Sequence, residues 1–263
     1  MRETWRRRVQ RAEALSVPGS PSQELVAFYA ELLRGQRDVY EHLSGLRDWR
    51  PSGSFERDLP AFKSQLPAVL AAVAHAAPES LANEARQLLA TRGRGLDESL
   101  LAFWQAPSDL DFFAKAIVQP YADRLAATGV APVGRDIPRA DNRCPFCGGR
   151  PQLSVLSSGG DSTLEGGGRA LQCATCLTTW PFRRVLCAHC GEEDERKLGY
   201  FQSPAFDHVR VEACDTCAHY LKRIDLTRLG VAVPLVDEVA SAPLDAWAIE
   251  HGYVKIELNL IGL

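Results

Sequence analysis

The chain has 263 residues, of which 46% are hydrophobic and 24% charged, a composition typical of a globular protein with a sizeable core. Its formal net charge of −3 argues against nucleic-acid binding or attachment to an acidic membrane surface, both of which require a concentrated basic face. No run of about 18 apolar residues is present, so no transmembrane helix is expected.

The N-terminal segment MRETWRRRVQRAEALSVPG contains three consecutive arginines, as twin-arginine export signals contain paired ones. Such a signal needs an apolar stretch after the arginines, but Gln10, Arg11 and Glu13 follow instead. We therefore predict a basic amphipathic helix at this end and a cytoplasmic location.

Residues 1–140 contain no cysteine and show helical periodicity, which predicts a bundle of about six helices. One helix is predicted to follow an N-cap at Ser20, and a later one to follow a cap at Ser108, with Asp111 three positions on. Pro120 is expected to kink or end the later helix. Apolar stripes mark these two helices and one between them: Leu25, Phe28, Tyr29, Leu32 and Leu33; Leu66, Val69, Leu70 and Val73; Leu110, Phe113, Ile117 and Tyr121. We interpret the stripes as core, the alternative being a groove for a partner's peptide.

The helical pattern ends in 129–142, where GVAPVGRDIPRADN holds two prolines and two glycines. We therefore predict four parts: a helical domain over 1–140, two cysteine modules over 141–184 and 185–229, and a C-terminal helix with an extended tail over 230–263. The tail helix is expected near Leu244–Glu250, and YVKIELNL alternates like a strand.

Eight cysteines form four C-x-x-C pairs: Cys144 and Cys147, Cys173 and Cys176, Cys187 and Cys190, Cys214 and Cys217. Two thiolates separated by two residues converge on one metal from a tight turn, and two such turns complete a tetrahedral shell of four sulfurs. Without a secretion signal, metal binding is favoured over disulfides. A thioredoxin-like redox motif is disfavoured, because four pairs occur and no βαβ pattern surrounds them.

The spacing of the pairs indicates which of them share a metal. Gly148 and Gly191 follow the first and third pairs, whereas the second and fourth share the pattern C-x-T-C. Twenty-five residues separate the first pair from the second, 23 the third from the fourth, and only 10 the second from the third. This repeat of about 40 residues predicts two consecutive four-cysteine sites. An interleaved cross-brace, first with third and second with fourth, is the rival.

Four sulfurs suit zinc or a single iron, and the spacing does not distinguish the two metals. A structural role is favoured for each site, because such small modules usually fold on their metal. His189 could be a spare ligand, but four sulfurs already fill the metal's shell, so it is interpreted as an exposed residue. His208 and His219 are interpreted as hydrogen-bonding neighbours. The glycines 166–168 are interpreted as a loop tip, since no Lys-Ser/Thr follows them. No catalytic residues are predicted, as no G-x-S-x-G, H-E-x-x-H or Walker motif is present.

The flanking residues add a family resemblance that covers essentially the whole chain. CPFCG followed by Pro151, CATC followed by Trp180 and Arg184, CAHCG, and RVEACDTCAHYLK over 210–222 resemble the formate dehydrogenase accessory proteins of the FdhE family. The resemblance implies an α+β protein with an N-terminal helical bundle and two tandem rubredoxin-like, zinc-ribbon-type β modules. It implies one iron per four-cysteine site and two per chain, with zinc as the alternative, and all eight cysteines as ligands.

The resemblance also implies a function. Members are cytoplasmic accessory factors that bind the catalytic subunit of respiratory formate dehydrogenase and help it to mature, without turnover of their own. We accordingly expect no nucleic-acid or membrane partner, and a monomer or weak homodimer. The alternatives are a rubredoxin-like electron-transfer protein acting during maturation, a structural zinc-ribbon binding protein, and a nucleic-acid-binding zinc ribbon, against which the net charge argues.

Overall fold

The structure is a computed structural model that describes residues 2–109, 111–158 and 168–263. Its N-terminal half is helical, with seven α-helices over the described residues where about six were predicted. They are α1 Arg2–Leu15, α2 Gln23–Gly45, α3 Phe55–Asp58, α4 Leu66–Ala76, α5 Glu79–Ala90, α6 Leu96–Gln105 and α7 Phe112–Thr128. No helix among the described residues is long and apolar enough to cross a membrane.

The helices enclose an aromatic core. Phe55, Phe62, Trp104 and Tyr121 pack with ring centroids 5.1 to 6.0 Å apart, and each side chain is buried. The described members of the predicted apolar stripes are buried as well, with Leu25 only partly so. The stripes are therefore core residues, as interpreted from their period.

Two predicted helix starts were wrong. Helix α2 begins at Gln23, and Ser20 forms the turn before it, where its carbonyl accepts from the Gln23 N–H at 3.1 Å. Helix α7 begins at Phe112, because the Asp111 carboxylate rather than Ser108 caps it and accepts from the Ala114 N–H at 2.9 Å. Leu110, which the prediction placed on this helix, lies outside the described residues.

Pro120 does not end α7, which continues to Thr128 and stops at Gly129 in the left-handed conformation. A proline lacks the N–H that would bond to the carbonyl four residues earlier, here Ala116. The Gln36 side chain of α2 donates to that carbonyl at 2.8 Å. A donor from another helix thus replaces the missing one, which is why the helix passes through the proline.

The second half contains a seven-stranded sheet, which confirms the α+β class. Its strands are β1 Pro151–Ser157, β2 Gly168–Cys173, β3 Thr179–Pro181, β4 Leu198–Gln202, β5 Val209–Cys214, β6 His219–Asp225 and β7 Val254–Lys255. Their order is β3-β2-β1-β6-β5-β4, with β7 beside β6. Each cysteine module contributes three antiparallel strands, and the same order of first, second and third strand is repeated along the sheet.

The two modules are joined at their edges. Strand β1 pairs in parallel with β6, from Leu153 opposite Lys222 to Leu156 opposite Asp225. On this sheet the buried Glu212 carboxylate of β5 forms ion pairs with Arg169 of β2 and Arg223 of β6. The modules therefore share one sheet, and the division of the chain at 140, 184 and 229 stays a prediction.

The C-terminal segment differs from its prediction in two ways. A helix that was not foreseen, α8 Pro234–Ala240, precedes the expected one, which is α9 Ala242–Glu250. Only Val254–Lys255 of YVKIELNL forms a strand. The strand stops because the chain then turns on itself: the Asn259 side-chain carbonyl accepts from the N–H groups of Ile261 and Leu263.

A buried ionic network fastens this segment to the sheet. Lys222 of β6 and Lys255 of β7 meet Glu238 of α8 and Asp245 of α9, and all four side chains have at most 1% of their surface exposed. Two cations and two anions compensate each other, which buried charges require. The Tyr220 hydroxyl also donates to Asp245 at 2.9 Å.

Candidate metal centres

The eight cysteine sulfurs gather into two groups. The first centre consists of Cys144, Cys147, Cys173 and Cys176, and the second of Cys187, Cys190, Cys214 and Cys217. Within each group the four sulfur atoms lie within 4.8 Å of one another. The grouping is the consecutive one that the repeat predicts, and the interleaved cross-brace does not occur.

The sulfur separations suit a tetrahedral metal site. In the first centre Cys144 and Cys176 are 3.5 Å apart and Cys147 and Cys173 are 3.4 Å apart; the corresponding distances in the second centre are 3.8 and 3.7 Å. A metal–sulfur bond of about 2.3 Å in a regular tetrahedron separates the sulfurs by about 3.8 Å. A disulfide needs about 2.05 Å, and all eight cysteines are free. Each centre could therefore hold one zinc or one iron ion.

Tight turns present the sulfurs. The Gly148 N–H donates to the Cys144 carbonyl at 2.9 Å, and the Gly191 N–H donates to the Cys187 carbonyl at 3.1 Å. Both glycines have positive φ, 73° and 78°, as expected for a glycine that closes the turn. Backbone N–H groups also reach the sulfurs, from His189 to Cys187 at 3.4 Å in the second centre.

The second turn of each centre repeats this geometry without a glycine. It follows the end of β2 in the first module and of β5 in the second. Leu177 and Ala218, each directly after a C-x-T-C pair, have φ of 60° and 53°. Left-handed backbone is uncommon outside glycine, so the fold imposes it at both positions. The repeat is thus present in the backbone as well as in the sequence.

The thiols of the first centre do not ionise alike. Hydrogen bonding with Cys147 lowers the pKa of Cys144, whereas burial raises the pKa of Cys173 and of Cys176. Burial likewise raises the pKa of Cys217 in the second centre. Because burial opposes the thiolate form, a cation is needed for four such sulfurs to be ionised together, and the thiolate is the form that binds metal.

The two centres differ in exposure. All four cysteines of the first centre have none of their surface exposed. In the second centre Cys187 and Cys214 are buried, but Cys190 is exposed and Cys217 is half-buried. The motif sequences, which are nearly the same, do not reveal this difference.

The first centre is buried because distant segments cover it. The Gln119 side chain of α7 donates to the carbonyl of Ala174, between the second pair of cysteines, at 2.9 Å. On the other side Arg135 donates to the Cys147 carbonyl at 2.7 Å. A Cβ added at Gly148 would lie 2.2 Å from the carbonyl oxygen of Asp136, so the segment 135–138 lies directly against that turn.

The second centre lacks such a close backbone contact at the equivalent turn, since a Cβ added at Gly191 would meet nothing within 4 Å. Its two turns bond to each other where the Thr216 hydroxyl donates to Glu192 at 2.6 Å, and the Asn142 side chain donates to the His189 carbonyl of the first turn at 3.1 Å. The C-terminal segment contacts the second turn, where the Tyr253 hydroxyl donates to Asp215 at 2.7 Å and the Val254 N–H donates to the Ala218 carbonyl at 2.8 Å.

Two histidines lie beside the second centre. The rings of His189 and His219 stack 3.6 Å apart at 7°, and both offer a nitrogen within 4.8 Å of the Cys217 sulfur. His189 is half-buried rather than exposed, contrary to its prediction, because this ring contact covers it. His219 hydrogen bonds to the Cys217 carbonyl at 2.7 Å and His208 to Asp237 at 2.9 Å, so both are hydrogen-bonding neighbours as interpreted. Residues 166 and 167 of the predicted loop tip lie outside the described residues.

Family models match the cysteine-containing half of the chain. The model described as "FdhE, central domain" matches residues 143–184, and the model described as "FdhE, C-terminal domain" matches residues 185–261. A protein FdhE homolog of Aquifex aeolicus (strain VF5) is 40% identical over 121 residues, which cover 46% of this chain and 42% of that protein. The match therefore spans less than half the length of that relative.

Two further likenesses extend over nearly the whole chain. A protein FdhE homolog of Haemophilus influenzae (strain PittEE) is 27% identical over 271 residues, covering 97% of this chain and 87% of that protein. The crystal structure of the FdhE protein from Pseudomonas aeruginosa shares the fold, with a TM-score of 0.72 at 23% identity over 99% of this chain and 96% of that one. Both domain models match in consecutive order, so residues 143–261 carry the central and C-terminal domains of the FdhE family.

Proposed function

We propose that this protein is a metal-binding accessory factor that binds the catalytic subunit of formate dehydrogenase and supports its assembly or activity. The matches to both FdhE domain models and to an FdhE homolog along nearly the whole chain support the biological setting. The pair of four-sulfur sites, each with tetrahedral spacing, is the observation that carries the metal-binding part. Cytoplasmic location, a monomeric or weakly dimeric state, and the absence of turnover, nucleic-acid binding and membrane binding belong to the same proposal.

The eight cysteines are the ligands in this proposal, four to each ion. A bound ion supplies a cross-link between the two turns of each module, and iron would add a one-electron redox couple. The chain's own contribution is to hold four sulfurs at tetrahedral spacing and to exclude water from the first centre. Iron is the metal that the family resemblance favours, and zinc is the alternative.

Co-purification with the catalytic subunit tests the partner. The tagged chain, prepared without oxygen, is mixed with the catalytic subunit under reducing and under oxidising conditions. A chain with Cys187 and Cys190 both changed to serine serves as a metal-depleted control. The proposal expects the subunit to be retained by the wild-type chain, and its loss in both redox states would contradict the proposal.

The exposure of Cys190 favours a second candidate, a rubredoxin-like electron-transfer protein. Electron transfer needs a metal centre near the surface, and the second centre meets that condition. Iron-loaded protein should then absorb visible light through its thiolate ligands and bleach reversibly with a reductant. A colourless, zinc-filled protein that fully supports formate dehydrogenase activity would rule this candidate out.

A further inference from the structure

The two centres differ in the exposure of their cysteines, and this difference determines whether an incoming ligand could reach a bound metal. An incoming ligand can replace a bound thiolate only if it can approach the metal as that thiolate leaves. In the first centre every sulfur is fully buried, so replacement requires the cover to open first. In the second centre Cys190 is an exposed residue, and its turn faces open space at Gly191.

The surroundings of the second centre add spare donors. The Nδ1 atom of His189 is buried and has no hydrogen-bond partner among the described residues. Because a carbonyl only accepts, His219 donates from Nδ1 to the Cys217 carbonyl, which leaves Nε2 with its lone pair in the neutral ring. The two stacked rings are nearly parallel, so the lone pairs of their nitrogens do not point at one common ion, as a separate metal site would require. The two histidines instead place nitrogen donors next to Cys217.

We propose that the second centre is a metal-exchange site that reacts with thiolate-bearing ligands at Cys190, whereas the first centre holds its ion permanently. With an ion bound, exchange would break the bond from the metal to the Cys190 sulfur as a bond from the incoming thiolate formed. Cys190 would leave as a thiolate and take a proton from solvent, and the oxidation state of the metal would not change. The chemical class of the ligand is a soft thiolate, carried by a small thiol or by a cysteine of another protein.

Release kinetics test the inference on the full chain. Protein carrying two zinc ions is mixed, without oxygen, with the chromogenic chelator 4-(2-pyridylazo)resorcinol and increasing glutathione. One ion per chain should leave in a fast phase whose rate rises with glutathione, and the other about a hundredfold more slowly. Simultaneous loss of both ions, or a fast phase independent of glutathione, would overturn the inference.

Labelling assigns the fast phase to a centre. N-ethylmaleimide in molar excess over glutathione, added during that phase and followed by peptide mass spectrometry, should label Cys190 and Cys217 before any cysteine of the first centre. The variant Cys190→Ser should retain one slowly released ion and lose the fast phase. Early labelling of the first centre, or a fast phase that persists in Cys190→Ser, would contradict the assignment.

The inference rests on the proposed metal binding at both centres and not on the proposed partner. A chain that binds no metal at either centre contradicts the proposed function itself. A chain that binds two ions and releases them together contradicts only the exchange inference.

Discussion

Alanine at the two equivalent turn glycines should have different effects on the two centres. Gly148 and Gly191 hold the same position in the repeat, directly after the second cysteine of their pair, and their φ angles differ by only 5°, 73° against 78°. The substitutions Gly148→Ala and Gly191→Ala therefore carry the same backbone strain. They differ in what the added methyl group meets.

The strain common to both variants, a left-handed residue with a Cβ, costs about 1–2 kcal/mol. At Gly191 nothing lies within 4 Å of the new atom, so this is the whole cost. At Gly148 the new atom would lie 2.2 Å from the Asp136 carbonyl oxygen and 3.2 Å from the Ile137 Cα, both of them backbone atoms. Displacing the segment 135–138 adds about 1–3 kcal/mol, the usual cost of overpacking a close-packed site.

The free energy of unfolding of the zinc-loaded variants, measured by chemical denaturation, gives this difference directly. We expect Gly148→Ala to be less stable than Gly191→Ala by about 1–3 kcal/mol and to release zinc faster from the first centre alone. Equal destabilisation, or a larger loss in Gly191→Ala, would refute the reasoning that the segment 135–138 covers the first centre.

Three further changes address the cover, the buried network and a displaced pKa. Gln119→Leu should leave the Ala174 carbonyl without the donor that Gln119 provides, and so lower the free energy of unfolding by about 1–3 kcal/mol. Zinc release from the first centre should also become faster, and an unchanged release rate would contradict this prediction. Lys222→Met should cost about 3–5 kcal/mol in chemical denaturation, because it leaves the buried Asp245 carboxylate short of a partner; a cost below about 1 kcal/mol would count against it. Burial raises the pKa of Glu257 from 4.5 to about 7. The protonated carboxyl therefore stabilises the folded chain fully below pH 4.5, and this stabilisation, at most about 3 kcal/mol, is lost as the pH rises through 7. Glu257→Gln should flatten that part of the stability–pH curve, and an unaltered curve would show that another group titrates.

The cysteine grouping was predictable because it depends on local spacing. Each C-x-x-C turn is closed by neighbours in the chain, and the short link between Cys176 and Cys187 favours consecutive modules. The repeated motifs predict two similar centres, however, and do not predict that the first is buried and the second partly exposed. That difference arises from Gln119 and Arg135, which contact the first centre from outside its motifs.

Long-range compensation explains two features that the sequence alone does not predict. Pro120 is a reliable helix breaker unless something replaces its missing N–H, and here Gln36 of another helix does so. Lysines such as Lys222 and Lys255 are normally assigned to the surface, yet both are buried because carboxylates from α8 and α9 compensate them. The residue pattern of one segment does not show which side chain of a distant segment will contact it. Neither the continuation of the helix through Pro120 nor the burial of the two lysines could therefore be predicted from the sequence.

X-ray absorption at the metal edge, together with the metal content of protein purified without oxygen, tests the two four-sulfur centres most directly. We expect two ions per chain, each bound by four sulfurs at about 2.3 Å and by no nitrogen or oxygen. A single ion per chain, a shell containing nitrogen or oxygen, or sulfur–sulfur bonds of about 2.05 Å would contradict it.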